Sequence, residues 1–375
     1  MYKRVSRHVA KVKQYREMKI LKIILIIIGS IIAILGIVLC IYFYRNMNYD
    51  KNVNKILAKA GFIEKQVTLP DGIILNYGEG PDNGIPLFLI HGQMTSWENY
   101  VEVLPELSKY YHVFAVDCHG HGKSSKNKEK YRAEIMGGDF IWFIENVICQ
   151  PVVVSGHSSG GLLATWLAAN SPQNVVGVVI EDAPYFATEP QRCEKTFAWV
   201  DGFQVIHQFL NQTEETNYIR YYLENCYMQT FFGDSWENIK TYAFNYMDKN
   251  PEKNLRIFFL PPAMNKSFDL LSGSYDLYFG DTFYDCSWFE NFNQTETLSK
   301  IQCPSVLIHT NWSYDKNGIL LAAMDGDDAE KAHKLIASNK LVQINSGHNS
   351  HDEKPKEFNK IMTEFLNHIK VEKTK

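Results

Sequence analysis

The sequence predicts an α/β protein with a mostly parallel eight-stranded sheet, a helical insertion and one transmembrane helix ahead of the sheet. Three observations support this fold class: apolar β-rich runs alternate with helix-like stretches, one long interval lacks strands, and an uncharged apolar run lies near the N-terminus. The chain has 375 residues, of which 45% are hydrophobic and 21% charged, so it can bury a large globular core.

The first predicted element is a transmembrane helix at residues 23–44. These 22 residues carry no charged side chain, and at about 1.5 Å per residue they can cross the hydrocarbon core. A cleaved signal peptide fits less well, because Tyr42 to Arg45 stand where small residues would precede a cleavage site. Residues 1–22 form a basic tail of net charge +7, so the positive-inside rule places the N-terminus in the cytoplasm and the large domain outside.

Charge and cysteine spacing exclude two function classes. The chain beyond the tail has a net charge of −11, which argues against a nucleic-acid partner because phosphates need a basic surface. The seven cysteines show no C-x-x-C spacing, which argues against a cysteine-based zinc site. An external location would permit disulfides, and Cys193, Cys226 and Cys286 are candidates with their pairing left open.

After a polar linker at residues 45–60, the predicted core comprises residues 61–183 and 300–375. Residues Pro70 to Gly72 join the first two strands into an antiparallel hairpin, whereas helical crossovers separate the later strands. The predicted strands are Ile63–Thr68, Ile73–Tyr77, Pro86–Ile90, His112–Val116, Pro151–Val154, Val175–Ile180, Ser305–His309 and Leu341–Ile344.

Residues 184–299 interrupt the strand pattern and are predicted to form a helical cap over the sheet. Between Tyr185 and Phe292 lie 27 of the 50 aromatic residues of the chain, in less than a third of its length. Most of these rings are expected to form the cap's own core. The cap would still present an apolar, aromatic wall to a bound molecule.

The stretch Gly156-His157-Ser158-Ser159-Gly160 has the pattern G-x-S-x-G. It lies between the apolar run Val152–Val154 and a predicted helix rich in alanine and leucine. A sharp turn from strand to helix exposes a serine at the sheet edge, and the flanking glycines admit the crowded backbone. The pattern predicts Ser158 as a nucleophile.

A second motif, His91-Gly92-Gln93, follows another buried strand. The backbone N–H groups of Gln93 and Ser159 are predicted to form an oxyanion hole. His91 itself is interpreted as structural.

A third motif, Asp117 to Ser124, follows the fourth strand. Its two histidines, His119 and His121, are interpreted as loop residues and not as metal ligands, because no carboxylate or cysteine accompanies them at ligand spacing.

The general base is expected on a loop after the last strand. Ser346-Gly347-His348 provides it, since Gly347 permits a tight turn from which His348 can reach the nucleophile. His351 is the nearby competitor, and His368 lies in a predicted C-terminal helix.

The order of these motifs, together with Glu181-Asp182-Ala183-Pro184, resembles the α/β-hydrolase family with a helical cap. The resemblance covers about residues 61–375 and excludes the membrane helix. It implies a serine hydrolase with a Ser-His-acid triad that needs no metal or organic cofactor.

Two carboxylates compete for the role of the triad acid. Asp182 follows the sixth predicted strand and Asp315 follows the seventh, where the family commonly has a glycine that this chain lacks. Asp315 is preferred, because the order Ser158, Asp315, His348 matches the family, and Asp182 is the alternative.

The sequence therefore predicts a membrane-anchored serine hydrolase that cleaves an ester, thioester or amide bond of an apolar small molecule or lipid. Esterase, lipase, acyl-hydrolase and aminopeptidase-like activities all fit this description. The alternative is a non-catalytic sensor that binds a ligand in the hydrolase pocket, since fold alone does not fix function. A metal-dependent hydrolase is a more distant alternative.

Overall fold

The structure is a computed structural model that describes residues 2–260 and 262–372. The chain divides into two compact units. One consists of Met1–Tyr49 and Arg256–Asn265, and the other of Asp50–Leu255 and Lys266–Lys375.

The first unit contains one long helix, α1, from Tyr2 to Met47. Residues 23–44, predicted to span a membrane, lie inside it. A helix of sufficient length and apolarity covers Lys13–Met47, and its most apolar 18-residue window has a mean hydropathy of 3.3 and is 0% buried. By length and composition, this part of α1 could therefore cross a membrane.

Residues 45–60, predicted to be a linker, are mostly helical. They contain the end of α1, a 3₁₀ turn at Tyr49–Asn52 and helix α2 at Val53–Lys59. Leu57 is buried among core side chains, so the core of the second unit begins within the expected linker.

The sheet has eight strands, as predicted, in the order β1-β2-β4-β3-β5-β6-β7-β8. β2 pairs antiparallel with β1 and with β4, and the remaining pairs are parallel. The fold class is therefore confirmed. The strands are β1 Ile63–Thr68, β2 Ile74–Glu79, β3 Ile85–Ile90, β4 Tyr111–Val116, β5 Val152–His157, β6 Val175–Glu181, β7 Ser305–His309 and β8 Asn339–Gln343.

The central strands are buried on both faces, which explains their continuous apolar runs. In β3, Phe88 and Ile90 belong to one core cluster, whereas Leu87 and Leu89 belong to the other. Successive side chains of a strand point to opposite faces, so the two clusters occupy opposite faces of the sheet. This packing aligns the carboxyl ends of the parallel strands at one edge.

In residues 184–299, the described part contains helices and no strand. The segment Arg256–Asn265 lies inside this interval of the sequence, yet it belongs to the first unit. All seven cysteines are free thiols, so the three candidates form no disulfide in this structure. The remaining helices are α3 Leu104–Leu107, α4 Ala133–Phe143, α5 Ser159–Asn170, α6 Gln204–Leu210, α7 Tyr218–Asn225, α8 Gln229–Phe232, α9 Trp236–Lys249, α10 Pro262–Leu271, α11 Leu277–Tyr284, α12 Gln294–Lys300, α13 Gly326–Leu335, α14 Ser350–Glu353 and α15 Pro355–Glu372.

Candidate active site

Ser158 occupies a sharp turn between β5 and α5. Its backbone lies at φ 55° and ψ −123°, in a region that non-glycine residues rarely adopt. A Cβ added at Gly156 would lie 2.1 Å from the carbonyl oxygen of Gly160, and one at Gly160 would lie 2.2 Å from that of Ile90. Both glycines are therefore required by close backbone contacts. The turn has the geometry of a nucleophile elbow.

His348 and Asp182 lie in direct contact at the same edge of the sheet. The His348 Nδ1 atom is 2.7 Å from Asp182 Oδ2. Asp182 is 1% exposed, and its carboxylate also accepts hydrogen bonds from the hydroxyl (2.8 Å) and backbone N–H (3.3 Å) of Thr310. This contact leaves His348 Nε2 as the nitrogen that can exchange a proton with a hydroxyl group.

The pKa of His348 is raised above its ordinary value. Burial alone lowers the pKa, but the hydrogen bond and negative charge of Asp182 outweigh it, with help from Glu181 and Glu353. The side chain of His348 is 37% exposed, so a substrate has access to it. The buried Asp182 on its other side stabilises the protonated form.

The structure corrects the preference for Asp315 as the partner of His348. The Asp315 carboxylate accepts hydrogen bonds from the Tyr227 hydroxyl (2.6 Å) and from the backbone N–H groups of Asn317 (2.8 Å) and Ile319 (2.9 Å). The loop after β7 turns back on itself here, because the backbone N–H of Asp315 donates to the carbonyl of Ile319. Asp315 therefore holds a turn together, and Asp182 is the carboxylate beside His348.

The loop after β3 passes close to Ser158. A Cβ added at Gly92 would lie 2.9 Å from the Cβ of Ser158, so only glycine allows this approach. Ser159 is the first residue of α5, and backbone N–H groups at the start of a helix have no partner within it. The structure thus brings the loop that carries Gln93 next to the turn that carries Ser159.

The helical insertion contacts this loop through Tyr275. Its hydroxyl donates to Gln93 Oε1 at 2.8 Å, and its ring centroid is 4.8 Å from that of His121. The following residue, Asp276, donates its backbone N–H to the carbonyl of Gly120 at 2.7 Å. Two loops at the sheet edge are therefore bonded to the start of α11.

His91 is structural, as expected from the sequence. Its Nε2 accepts the backbone N–H of Cys118 at 3.0 Å, and its Nδ1 is 2.6 Å from the carbonyl oxygen of Gly92. Burial lowers the pKa of His91 to about 4, so the ring is neutral at physiological pH. It joins the loops that follow β3 and β4.

Asp117 organises the third motif. Its carboxylate accepts from the backbone N–H groups of Trp97 (2.8 Å) and Lys123 (3.0 Å) and from Asn76 Nδ2 (2.8 Å). Burial raises its pKa to about 6 in spite of these hydrogen bonds. A Cβ at Gly122 would lie 2.2 Å from this carboxylate, which explains the glycine in the motif.

The two histidines of that motif have separate surroundings. His119 Nε2 is 2.9 Å from Asp139 Oδ2, whereas His121 Nδ1 is 3.0 Å from the backbone carbonyl oxygen of His119. Within residues 2–260 and 262–372, no group of three or more histidine, cysteine, aspartate or glutamate side chains is arranged to hold a metal ion.

A second histidine–carboxylate pair, His351 and Glu181, is fully buried near the His348–Asp182 pair, and the sequence interpretation missed it. His351, the competitor for the role of base, is fully buried with its Nδ1 2.8 Å from Glu181 Oε2. The Glu181 carboxylate also accepts from the Ser350 hydroxyl at 2.6 Å. His157, directly before Ser158, has its Nε2 2.9 Å from the carbonyl oxygen of His348. This network connects β5, β6 and the loop after β8.

The pKa of Glu181 is lowered to about 2. Burial raises the pKa, but the charge and hydrogen bonds of His351 outweigh this effect. The only sequence signal for the pair was a second acidic residue at the end of a buried strand, beside Asp182.

Comparisons with known proteins agree with this fold. Residues 85–355 match a family model described as alpha/beta hydrolase fold. Over 134 residues the chain is 31% identical to the (E)-2-((N-methylformamido)methylene)succinate hydrolase of Acinetobacter baylyi, and the match covers 35% of this chain and 49% of that protein. The chain spans between 29% and 49% of the length of the first three curated relatives that it matches.

Two solved structures show the same fold at low identity. A hydrolase from Pseudomonas aeruginosa PA01 superposes with a TM-score of 0.56 and 20% identity, covering 81% of this chain and 98% of that one. A bacterial membrane phospholipase A superposes with a TM-score of 0.57 and 18% identity, covering 91% of this chain and 97% of that one.

Proposed function

Because the chain belongs to the α/β-hydrolase family, we propose that it is a membrane-anchored serine hydrolase with a catalytic triad of Ser158, His348 and Asp182. It would cleave an ester, thioester or amide bond of an apolar small molecule or lipid. The observation that carries this proposal is the 2.7 Å contact between His348 and the buried Asp182, at the sheet edge where the Ser158 turn lies.

In the proposed mechanism the Ser158 hydroxyl attacks the carbonyl carbon of the substrate and gives its proton to His348 Nε2. Asp182 keeps the Nδ1 proton in place and stabilises the imidazolium. The amides of Gln93 and Ser159 hold the oxyanion of the tetrahedral intermediate. His348 then protonates the leaving group, and a water molecule that it activates releases the acyl group from Ser158.

Labelling with a fluorophosphonate probe tests the nucleophile. We expect the wild-type chain and a Ser299→Ala control to be labelled, and Ser158→Ala to remain unlabelled. Ser299 is a suitable control because its hydroxyl is exposed and donates to the carbonyl oxygen of Thr295 within α12. An unlabelled wild-type chain that binds an apolar ligand as well as Ser158→Ala does would favour the non-catalytic sensor.

The insertion that contacts the site supports the proposed substrate class. The ring centroids of Tyr275 and Phe279 are 4.8 Å and 4.7 Å from that of His121, and Tyr275 also bonds Gln93, so two aromatic side chains of the insertion pack beside the proposed oxyanion hole. Such surroundings favour apolar acyl groups over charged ones. A series of p-nitrophenyl esters with acyl chains of graded length tests this, and a strong preference for anionic or sugar-like substrates would contradict it.

The membrane topology is part of the proposal. The uncharged run at 23–44 and the basic residues before it support a single-pass anchor with a cytoplasmic N-terminus. Protease added to intact cells should degrade the large domain and leave a short protected fragment. Full protection of the large domain would refute this orientation.

A further inference from the structure

The unit formed by Met1–Tyr49 and Arg256–Asn265 places an apolar segment of the insertion against the end of α1. This end carries three successive aromatic residues, Tyr42, Phe43 and Tyr44. Aromatic residues at the end of a membrane-spanning helix lie at the level of the lipid headgroups. The depth of α1 in a bilayer would therefore determine the depth of any segment that is hydrogen-bonded to this end of the helix.

Polar contacts attach the segment to α1. Asn46 Nδ2 donates to the carbonyl oxygen of Phe258 at 2.9 Å, and the Tyr42 hydroxyl donates to that of Phe259 at 3.2 Å. Arg256 Nη1 donates to the carbonyl oxygen of Met47 at 2.8 Å. The Phe43 and Phe258 rings meet edge to face, with centroids 5.0 Å apart.

The segment is also held in shape from within. The Asn265 side chain accepts the backbone N–H of Ile257 at 2.8 Å and donates to the carbonyl oxygen of Leu260 at 3.2 Å. Asn265 and Ile257 are both 0% exposed, whereas Phe258 between them in this folded loop is 37% exposed. The loop thus buries its polar backbone groups and presents a phenylalanine outward.

From these contacts we infer that Arg256–Leu260 is a membrane-interface element whose binding partner is the lipid bilayer. Residues 257–265 carry no charged side chain, and Arg256 and Lys266 flank them, a composition suited to apolar insertion beside lipid phosphates. Phe258 contacts the aromatic end of α1 and enters the headgroup region with it. The inference rests on the proposed anchoring by α1, and it brings one stretch of the helical insertion to the bilayer surface.

Site-specific photocrosslinking in proteoliposomes of phosphatidylcholine and phosphatidylglycerol tests this inference on the full chain. The photoreactive residue p-benzoyl-L-phenylalanine replaces Phe258 in one variant and Phe231 in the control. Phe231 is 49% exposed and lies in α8, outside the segment. We expect irradiation to give a phospholipid adduct at 258 with at least ten times the yield at 231, measured by mass spectrometry.

Equal yields at the two positions, in a chain that resists alkaline carbonate extraction, would overturn the inference and leave the anchor intact. Extraction of the chain by carbonate would overturn both the anchor and the inference. Hydrolysis of a soluble ester is measured in parallel, because loss of that activity would concern the catalytic proposal alone. If position 258 does not tolerate the photoreactive residue, Phe258→Trp should show extra fluorescence quenching by brominated lipid, and Phe231→Trp should not; equal quenching would again overturn the inference.

Discussion

Replacing Asp182 by asparagine should nearly abolish turnover while leaving the fold intact. Asparagine has the same shape and tolerates the backbone of Asp182, whose φ is 44°. With its NH2 group at the Oδ2 position beside His348, its oxygen can still accept the backbone N–H of Thr310, which is 3.3 Å from Asp182 Oδ1. The charge that stabilises the His348 imidazolium is lost, and the amide can hold the wrong tautomer with the proton on Nε2.

The expected loss in kcat is on the order of 10⁴-fold, by analogy with the same change in other Ser-His-Asp hydrolases. At about 1.36 kcal/mol per tenfold change in rate, this corresponds to about 5.5 kcal/mol of transition-state stabilisation. That magnitude is reasonable for Asp182, because it is 1% exposed and water cannot replace its charge at His348.

The matched control is Asp315→Asn. Its oxygen can keep the hydrogen bonds from the backbone N–H groups of Asn317 and Ile319, so kcat should change by less than about threefold. Both variants are assayed on a soluble p-nitrophenyl ester, and circular dichroism confirms that they fold. Near-normal turnover in Asp182→Asn, with collapse in Asp315→Asn, would refute the reasoning and give the acid role to Asp315.

Three further predictions follow from the same contacts. The acid limb of kcat/KM should have its midpoint above the ordinary histidine value of 6.5, because His348 must be neutral to accept a proton and its pKa is raised; a midpoint below 6.5 would contradict this. Glu181→Gln should destabilise the folded chain by about 1–3 kcal/mol in chemical denaturation at pH 7, because a neutral amide would replace the fully buried carboxylate that lies 2.8 Å from His351 Nδ1 and accepts the Ser350 hydroxyl. The folded-state pKa of Glu181 is about 2 against 4.5 ordinarily, so this stability should be present above about pH 4.5 and lost toward pH 2; a pH-independent difference from wild type would argue against an ionised Glu181 carboxylate in the folded chain. Gly156→Ala should prevent correct folding of the turn, because the new Cβ would meet a carbonyl oxygen at 2.1 Å, whereas Gly138→Ala in α4 meets nothing within 4 Å and should stabilise by about 0.5–1 kcal/mol; equal melting temperatures for the two variants would refute the steric argument.

Local patterns in the sequence were sufficient to predict the sheet and the sharp turn at Ser158. The strands are short apolar runs bounded by polar or turn residues, and each was predicted to within three residues at either end. The turn around Ser158 was recognisable because Gly156 is required by a contact with Gly160, only four residues away, although Gly160 itself is required by a contact with Ile90 on another strand. The linker was less predictable, because α2 depends on burying Leu57 in a core formed by distant residues.

The sequence by itself determined the fold class, the position of Ser158 and the preference for His348 over the other histidines. Only the tertiary structure decided which carboxylate contacts His348, because Asp182 and Asp315 both lie in loops that follow strands. In the folded chain Asp182 contacts His348, whereas Asp315 contacts Tyr227. The tertiary structure also decided that His351 pairs with Glu181 and that Arg256–Asn265 packs with α1. The physical reason is the sequence separation of the interacting residues. Strand patterns and tight turns arise mainly from neighbouring residues. These pairings instead join residues more than a hundred positions apart, whose contact depends on the packing of the whole chain.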